Sequence, residues 1–117
     1  MRAKIFIVYW LPFAIYAATI FAVSSVEFKG VPRPFDLSDK FLHTLEFFIL
    51  AFLSFRAFKT HVILSKSPYF FSVMFTIFYG ALDELHQFFV PGRVLDFYDL
   101  IFNSLGGMLI IIAKLKR

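Results

Sequence analysis

From Ile5 to Val23 the chain runs nineteen positions without a charged residue, long enough as a helix to cross about 30 Å of hydrocarbon. A second apolar stretch runs from Phe41 to Phe55, interrupted by His43, Glu46 and small polar residues. A third covers Tyr69 to Val90, and a fourth runs from Asp99 to Ala113. Between them lie segments of loop character: "SSVEFKGVPRPFDLS", a basic stretch from Arg56 to Pro68, and "PGRVLD". The pattern predicts an all-α membrane bundle of four transmembrane helices, at about 5–23, 40–58, 69–90 and 97–113. These form one domain over residues 1–117. Pro12 is expected to kink the first helix, which a membrane helix tolerates better than a soluble one.

Composition strengthens the membrane reading. The apolar share is 60% with nineteen Phe in 117 residues, and mean hydropathy is +0.77. A soluble domain of this size buries only about two-thirds of its unfolded surface, so lipid is the economical cover for the rest. No Cys is present, which excludes a disulfide framework, a Cys-based metal site and a Cys nucleophile. Arg2 and Lys4 ahead of the first stretch suit a signal peptide. No small-x-small cleavage site follows, and the remaining chain is itself membrane-like, so a retained first helix is expected.

The location of the charges says more than the net +4. With the N-terminus inside, Arg2, Lys4, Arg56, Lys59, Lys66, Lys114, Lys116 and Arg117 fall on the cytoplasmic side, eight of the twelve basic residues. All eight acidic residues fall on the outer half. This is the positive-inside bias, and it predicts a multi-pass protein with both termini cytoplasmic. No basic stripe suited to nucleic acid is present.

Polar residues then gather at the outer ends of three helices. In "SDKFLHTLEF", Asp39, His43 and Glu46 sit at i, i+4 and i+7 on one helix face. Asp39 either caps that helix or joins the face. Neither cap nor loop explains His43 and Glu46, roughly 6 and 10 Å deeper. A carboxylate facing lipid there is expensive, so Glu46 is expected to face the bundle. In "YGALDELHQFFVPGR", Asp83, His86, Gln87 and Val90 run along one side, with Glu84 about 100° around. Asp96, Asp99 and Asn103 repeat the spacing on the fourth helix, followed by Gly106 and Gly107, whose expected role is close packing. Arg93 either clamps neighbouring carboxylates or binds a ligand anion through its planar fork.

The residues "DKFLHTLEF", "DELHQFFVPGR" and "DLIFNSLGG" together resemble the VanZ-like family of small bacterial membrane proteins. The resemblance rests on Asp39, Lys40, His43, Glu46, Asp83, Glu84, Gln87, Pro91, Gly92, Arg93, Asp99, Asn103 and Gly106, and covers nearly the whole chain. Ala51 stands where the family often has Gly, and Phe47 where Tyr is common, so neither change touches a charged or amide position. The resemblance implies a place in the bacterial cytoplasmic membrane and a link to the cell envelope. Through the member that names the family, it also implies a link to teicoplanin resistance. It supplies no reaction.

Several readings of the polar cluster follow. In one, an outward-facing pocket binds or processes an anionic envelope lipid or glycolipid. Glu46 or Asp83 then serves as general base and His43 or His86 as its acid/base partner, and Lys40 and Arg93 meet the anion. Asp39, Glu84, Gln87, Asp99 and Asn103 complete the binding set. His43 with Glu46, and Asp83 with His86, also have ligand spacing for a metal, although a hydrogen-bonded network is the stronger expectation and no metal or cofactor is assigned. Otherwise the cluster belongs to a non-catalytic scaffold, a homo-oligomer, or a small transport or proton-relay module. In the last reading it only fixes helix register.

Overall fold

The computed structural model describes residues 2–24, 37–89 and 97–115, with side chains for 2–23, 40–89 and 97–114. The turn from Pro91 to Asp96, Val90 and the first loop lie outside the described residues, and so does the side chain of Asp39. The first rod comprises α1 (Arg2–Ile5), a π-helical segment (Phe6–Trp10) and α2 (Leu11–Ser24). It is followed by α3 (Leu37–Phe58), a 3-10 turn (Leu64–Lys66), α4 (Pro68–Phe88) and α5 (Phe97–Leu115). Each predicted helix is present to within three residues at either end. Among the described residues there is no strand.

Three of the four rods are long and apolar enough to cross a membrane: Arg2–Val23, Lys40–Phe58 and Phe97–Lys114. The fourth, α4, has 21 residues, a length of about 31 Å. Asp83, Glu84 and His86 in its last turns lower its hydropathy. Contacts alternate along the chain as an up-down-up-down bundle requires. Arg56 near the end of α3 meets Val8, and Lys40 at its start meets Asp99 at the start of α5. The α3–α5 contact is the most extensive, followed by α4–α5 and α3–α4, while α2 packs more lightly on α3 and α4.

Pro12 alters the first rod upstream of itself rather than breaking it. Its ring nitrogen cannot donate to the Val8 carbonyl four residues earlier, and the chain widens into π-helical geometry in which the Leu11 N–H reaches Phe6 O. Arg56 donates from Nη2 to that Val8 carbonyl at 3.3 Å, and its guanidinium also lies over the Tyr9 ring, 5.1 Å from the centroid. A residue on another helix thus supplies the hydrogen bond that proline removes.

Burial is inverted relative to a soluble protein. Lys40 is 3% exposed, Asp83 4%, Glu84 2% and Asn103 0%, while Phe41 is 66% exposed and Phe78 64%. Charged groups inside and phenylalanines outside is the distribution expected when the surrounding medium is hydrocarbon. The core still uses some of the aromatic content. Phe13, Phe58 and Phe75 meet edge-on in a triangle with centroids 5.2 to 5.9 Å apart, a favourable quadrupolar arrangement.

Candidate functional site

The first turns of α3 and α5 bring together four polar side chains distant in sequence. Lys40 Nζ donates to Asp99 Oδ1, and the pair is almost enclosed, with side-chain exposures of 4% and 13%. His43, one turn deeper on α3, sets Nε2 3.8 Å from the same Asp99 oxygen. Its Nδ1 lies 3.2 Å from Asn103 Oδ1. The result is a series, Lys40–Asp99–His43–Asn103, in which the imidazole is oriented on one side by an amide and faced on the other by a carboxylate. An imidazole oriented in this way is suited to passing a proton between groups.

Asn103 is completely buried. Its oxygen faces His43, but its Nδ2 has no hydrogen-bond partner among the described residues. Gly80 of α4 leaves the room for it: a Cβ at Gly80 would stand 3.2 Å from Asn103 Cβ and 3.7 Å from Nδ2. From Gly80 the buried face of α4 continues through Asp83, Glu84 and Gln87, the i, i+3, i+4 and i+7 positions of one stripe. Both carboxylates take part in further interactions.

Glu84 is buried beside Asp83, and His86, half-buried, stacks on Phe21 of α2, with centroids 4.2 Å apart and planes at 25°. At 100° per residue His86 sits roughly 120° from Gly80, far enough around the helix to face a different neighbour. Glu46 is half-buried on α3, and its backbone carbonyl accepts the Tyr16 hydroxyl at 2.9 Å. Arg93 and the side chain of Asp39 lie outside the described residues. Among the described residues no group of three or more His, Asp or Glu is arranged to hold a metal ion.

Several residues that position the site carry no signal of their own in the sequence. Thr44 Oγ1 donates within 3.1 Å of Lys40 O and 3.2 Å of Phe102 O, tying the start of α3 to α5. Tyr79 donates to the Ala17 carbonyl, as Tyr16 does to Glu46, so two phenols fasten the first rod to α4 and α3. In an aromatic-rich run neither tyrosine stands out from the phenylalanines around it. Only the partner carbonyl on another helix distinguishes them.

A family described as VanZ/LLP1 matches residues 2–116 of the chain, nearly its whole length. No curated protein and no solved structure matches it.

Proposed function

The chain belongs to the VanZ/LLP1 family, and from this we propose that it is an integral protein of the bacterial cytoplasmic membrane. Its buried polar cluster binds the headgroup of an anionic envelope lipid or glycolipid. The observation that carries this reading is Asn103, fully buried, with an amide donor that has no acceptor among the described residues. A buried donor left unmade costs about 1–3 kcal/mol, and a phosphate or sugar oxygen would satisfy it. Lys40 lies one helix turn from His43 on the same side and contributes a cation. His43, oriented between Asn103 and Asp99, is the group best placed for proton transfer to or from a bound headgroup, with Glu46 and Asp83 as the further carboxylates of the site. Arg93, Asp39, Glu84 and Gln87 belong to the proposed binding set on sequence grounds. The family's name extends the proposal to teicoplanin susceptibility.

Asn103→Leu tests it. The substitution removes the unmade donor in nearly the same volume but also takes the Asn103 oxygen away from His43, so a stability loss of about 1–3 kcal/mol is expected with the fold retained. Retention of polyprenyl phosphates or lipid-linked precursors by the purified protein should fall at least tenfold. Binding that survives the substitution would defeat the reading.

The linked series Lys40–Asp99–His43–Asn103 favours a second reading, a small transport or proton-relay module. Proton flux into liposomes carrying the protein, abolished by His43→Gln with no lipid retained, would select it over the first.

Orientation is part of the proposal. Of the seven described Lys and Arg residues, Arg2, Lys4, Arg56, Lys59, Lys66 and Lys114 lie toward one end of the bundle, and Lys40 lies with the polar cluster at the other. The positive-inside rule then puts both termini in the cytoplasm. With no native cysteine in the chain, single cysteines at Lys66 and Phe89 give a clean readout in intact cells. A membrane-impermeant thiol reagent should label the second and spare the first, and the reverse pattern would invert the orientation.

A further inference from the structure

At the end of the bundle opposite the polar cluster, a groove of about 260 Å³ runs between the first turns of α4 and the last turns of α5. Its walls are Tyr69, Phe70, Val73, Met74 and Ile111, and Lys114 stands at its edge. Lys114 is fixed there by the Tyr69 ring, with Nζ 5.2 Å from the centroid. Behind it, Tyr69 lies 4.3 Å from the Phe55 ring, and Lys59 Nζ sits 5.3 Å over Phe55. Two ammonium groups thus bracket a pair of rings, beside an apolar slot that opens toward lipid. Every described Asp and Glu side chain belongs to the outer half of the bundle, so among the described residues no carboxylate answers these lysines. In sequence, Lys116 and Arg117 add to the same end.

We infer that this groove is a binding site for an anionic phospholipid of the leaflet it faces, with one acyl chain along Val73, Met74 and Ile111 and the phosphate at Lys114. The volume falls just below the usual range for pockets that enclose a whole small ligand, about 300–1,000 Å³. It suits a chain segment whose headgroup stays at the interface. Charge decides which lipid. A zwitterionic headgroup brings its own cation to the lysines, whereas phosphatidylglycerol brings a net negative charge. A tyrosine near the end of a membrane helix is the residue type enriched at the headgroup level. This site is separate from the polar cluster in both location and chemistry, and it stands whether or not that cluster binds a headgroup.

The experiment compares retention of phosphatidylglycerol and phosphatidylcholine of identical acyl chains by the full-length protein, read by native mass spectrometry after release from mixed nanodiscs. Wild type should retain phosphatidylglycerol in preference. Lys114→Gln, on an exposed position, should lower phosphatidylglycerol retention about fivefold, the worth of one basic charge near an anionic surface, and leave phosphatidylcholine unchanged. Met74→Trp, which fills the slot, should lower retention of both lipids, whereas Lys4→Gln on the first rod should change neither. Equal retention of the two lipids by wild type, or undiminished phosphatidylglycerol retention by Lys114→Gln with the helical circular dichroism preserved, would overturn the site.

Discussion

Gly106→Ala will cost the protein on the order of 3 kcal/mol or more, the largest loss expected from any single methyl group in this chain. A Cβ at this position would stand 2.2 Å from Thr44 O, 2.9 Å from Phe48 N and 3.1 Å from Phe47 Cβ. Two of these neighbours are backbone atoms of α3, so no side chain can rotate away, and the α3–α5 contact must open. Overpacking usually costs about 1–3 kcal/mol, and alanine's better helix propensity returns only about 1 kcal/mol. The steric term therefore wins. The neighbouring glycines provide an internal scale. At Gly107 the new methyl would meet Thr76 Cγ2 at 2.9 Å and Thr76 Cβ at 3.0 Å; rotation of Thr76 relieves only the first, but no backbone atom is as close as at Gly106, so an intermediate loss is expected. Gly80→Ala would find Asn103 Cβ at 3.2 Å and Phe47 Cε1 at 3.4 Å and should stay within about 1 kcal/mol of wild type. Thermal unfolding of the three variants in one detergent gives the order. If Gly106→Ala melts no earlier than Gly80→Ala, the close approach of α3 and α5 is wrong.

The same glycines show what the sequence could and could not reveal. Their spacing after Asn103 marks α5 as a helix that packs closely, yet nothing in the residue order names Thr44 as the partner 62 positions earlier. The four rods were legible because apolar runs of membrane length are long, continuous signals that tertiary contacts do not erase. The clustering of polar residues at one end was legible for the same reason, since alternating helix direction carries the polar ends to one side. Pairing was not. Lys40 and Asp99 are 59 residues apart, and the sequence grouped Lys40 with a ligand anion rather than with that carboxylate. Helix rotation was lost in a similar way. A reading that put Asp83 and His86 on one side could not resolve the 60° between them, and it is that angle that sends the histidine to Phe21. The effect of Pro12 was foreseen as a kink. The observed response is a π-helical segment with a donor from Arg56, a long-range hydrogen bond that no local pattern encodes.

The Lys40–Asp99 pair separates a structural cluster from a functional one. Lys40→Met leaves Asp99 nearly enclosed, with only the half-buried His43 facing it among the described residues. Breaking a buried pair from one side typically costs about 3–5 kcal/mol, because a charge stays where water cannot reach it. Asp99→Asn removes the carboxylate from an ammonium that is 4% exposed but that takes part in further interactions, so a smaller loss is expected. Joining the two changes, Lys40→Met with Asp99→Leu, removes both charges and should restore most of the stability, since apolar replacements of buried pairs are often neutral or better. Hydrocarbon-like surroundings favour that recovery further. If the pair existed only to fix helix register, the double variant would regain fold and activity together. In the reading favoured by Asn103, the double variant regains its melting temperature but not its retention of lipid-linked precursors, because the cation and the carboxylate that holds His43 are both gone. Full recovery of binding alongside stability would remove Lys40 and Asp99 from the site and leave them as structural residues only.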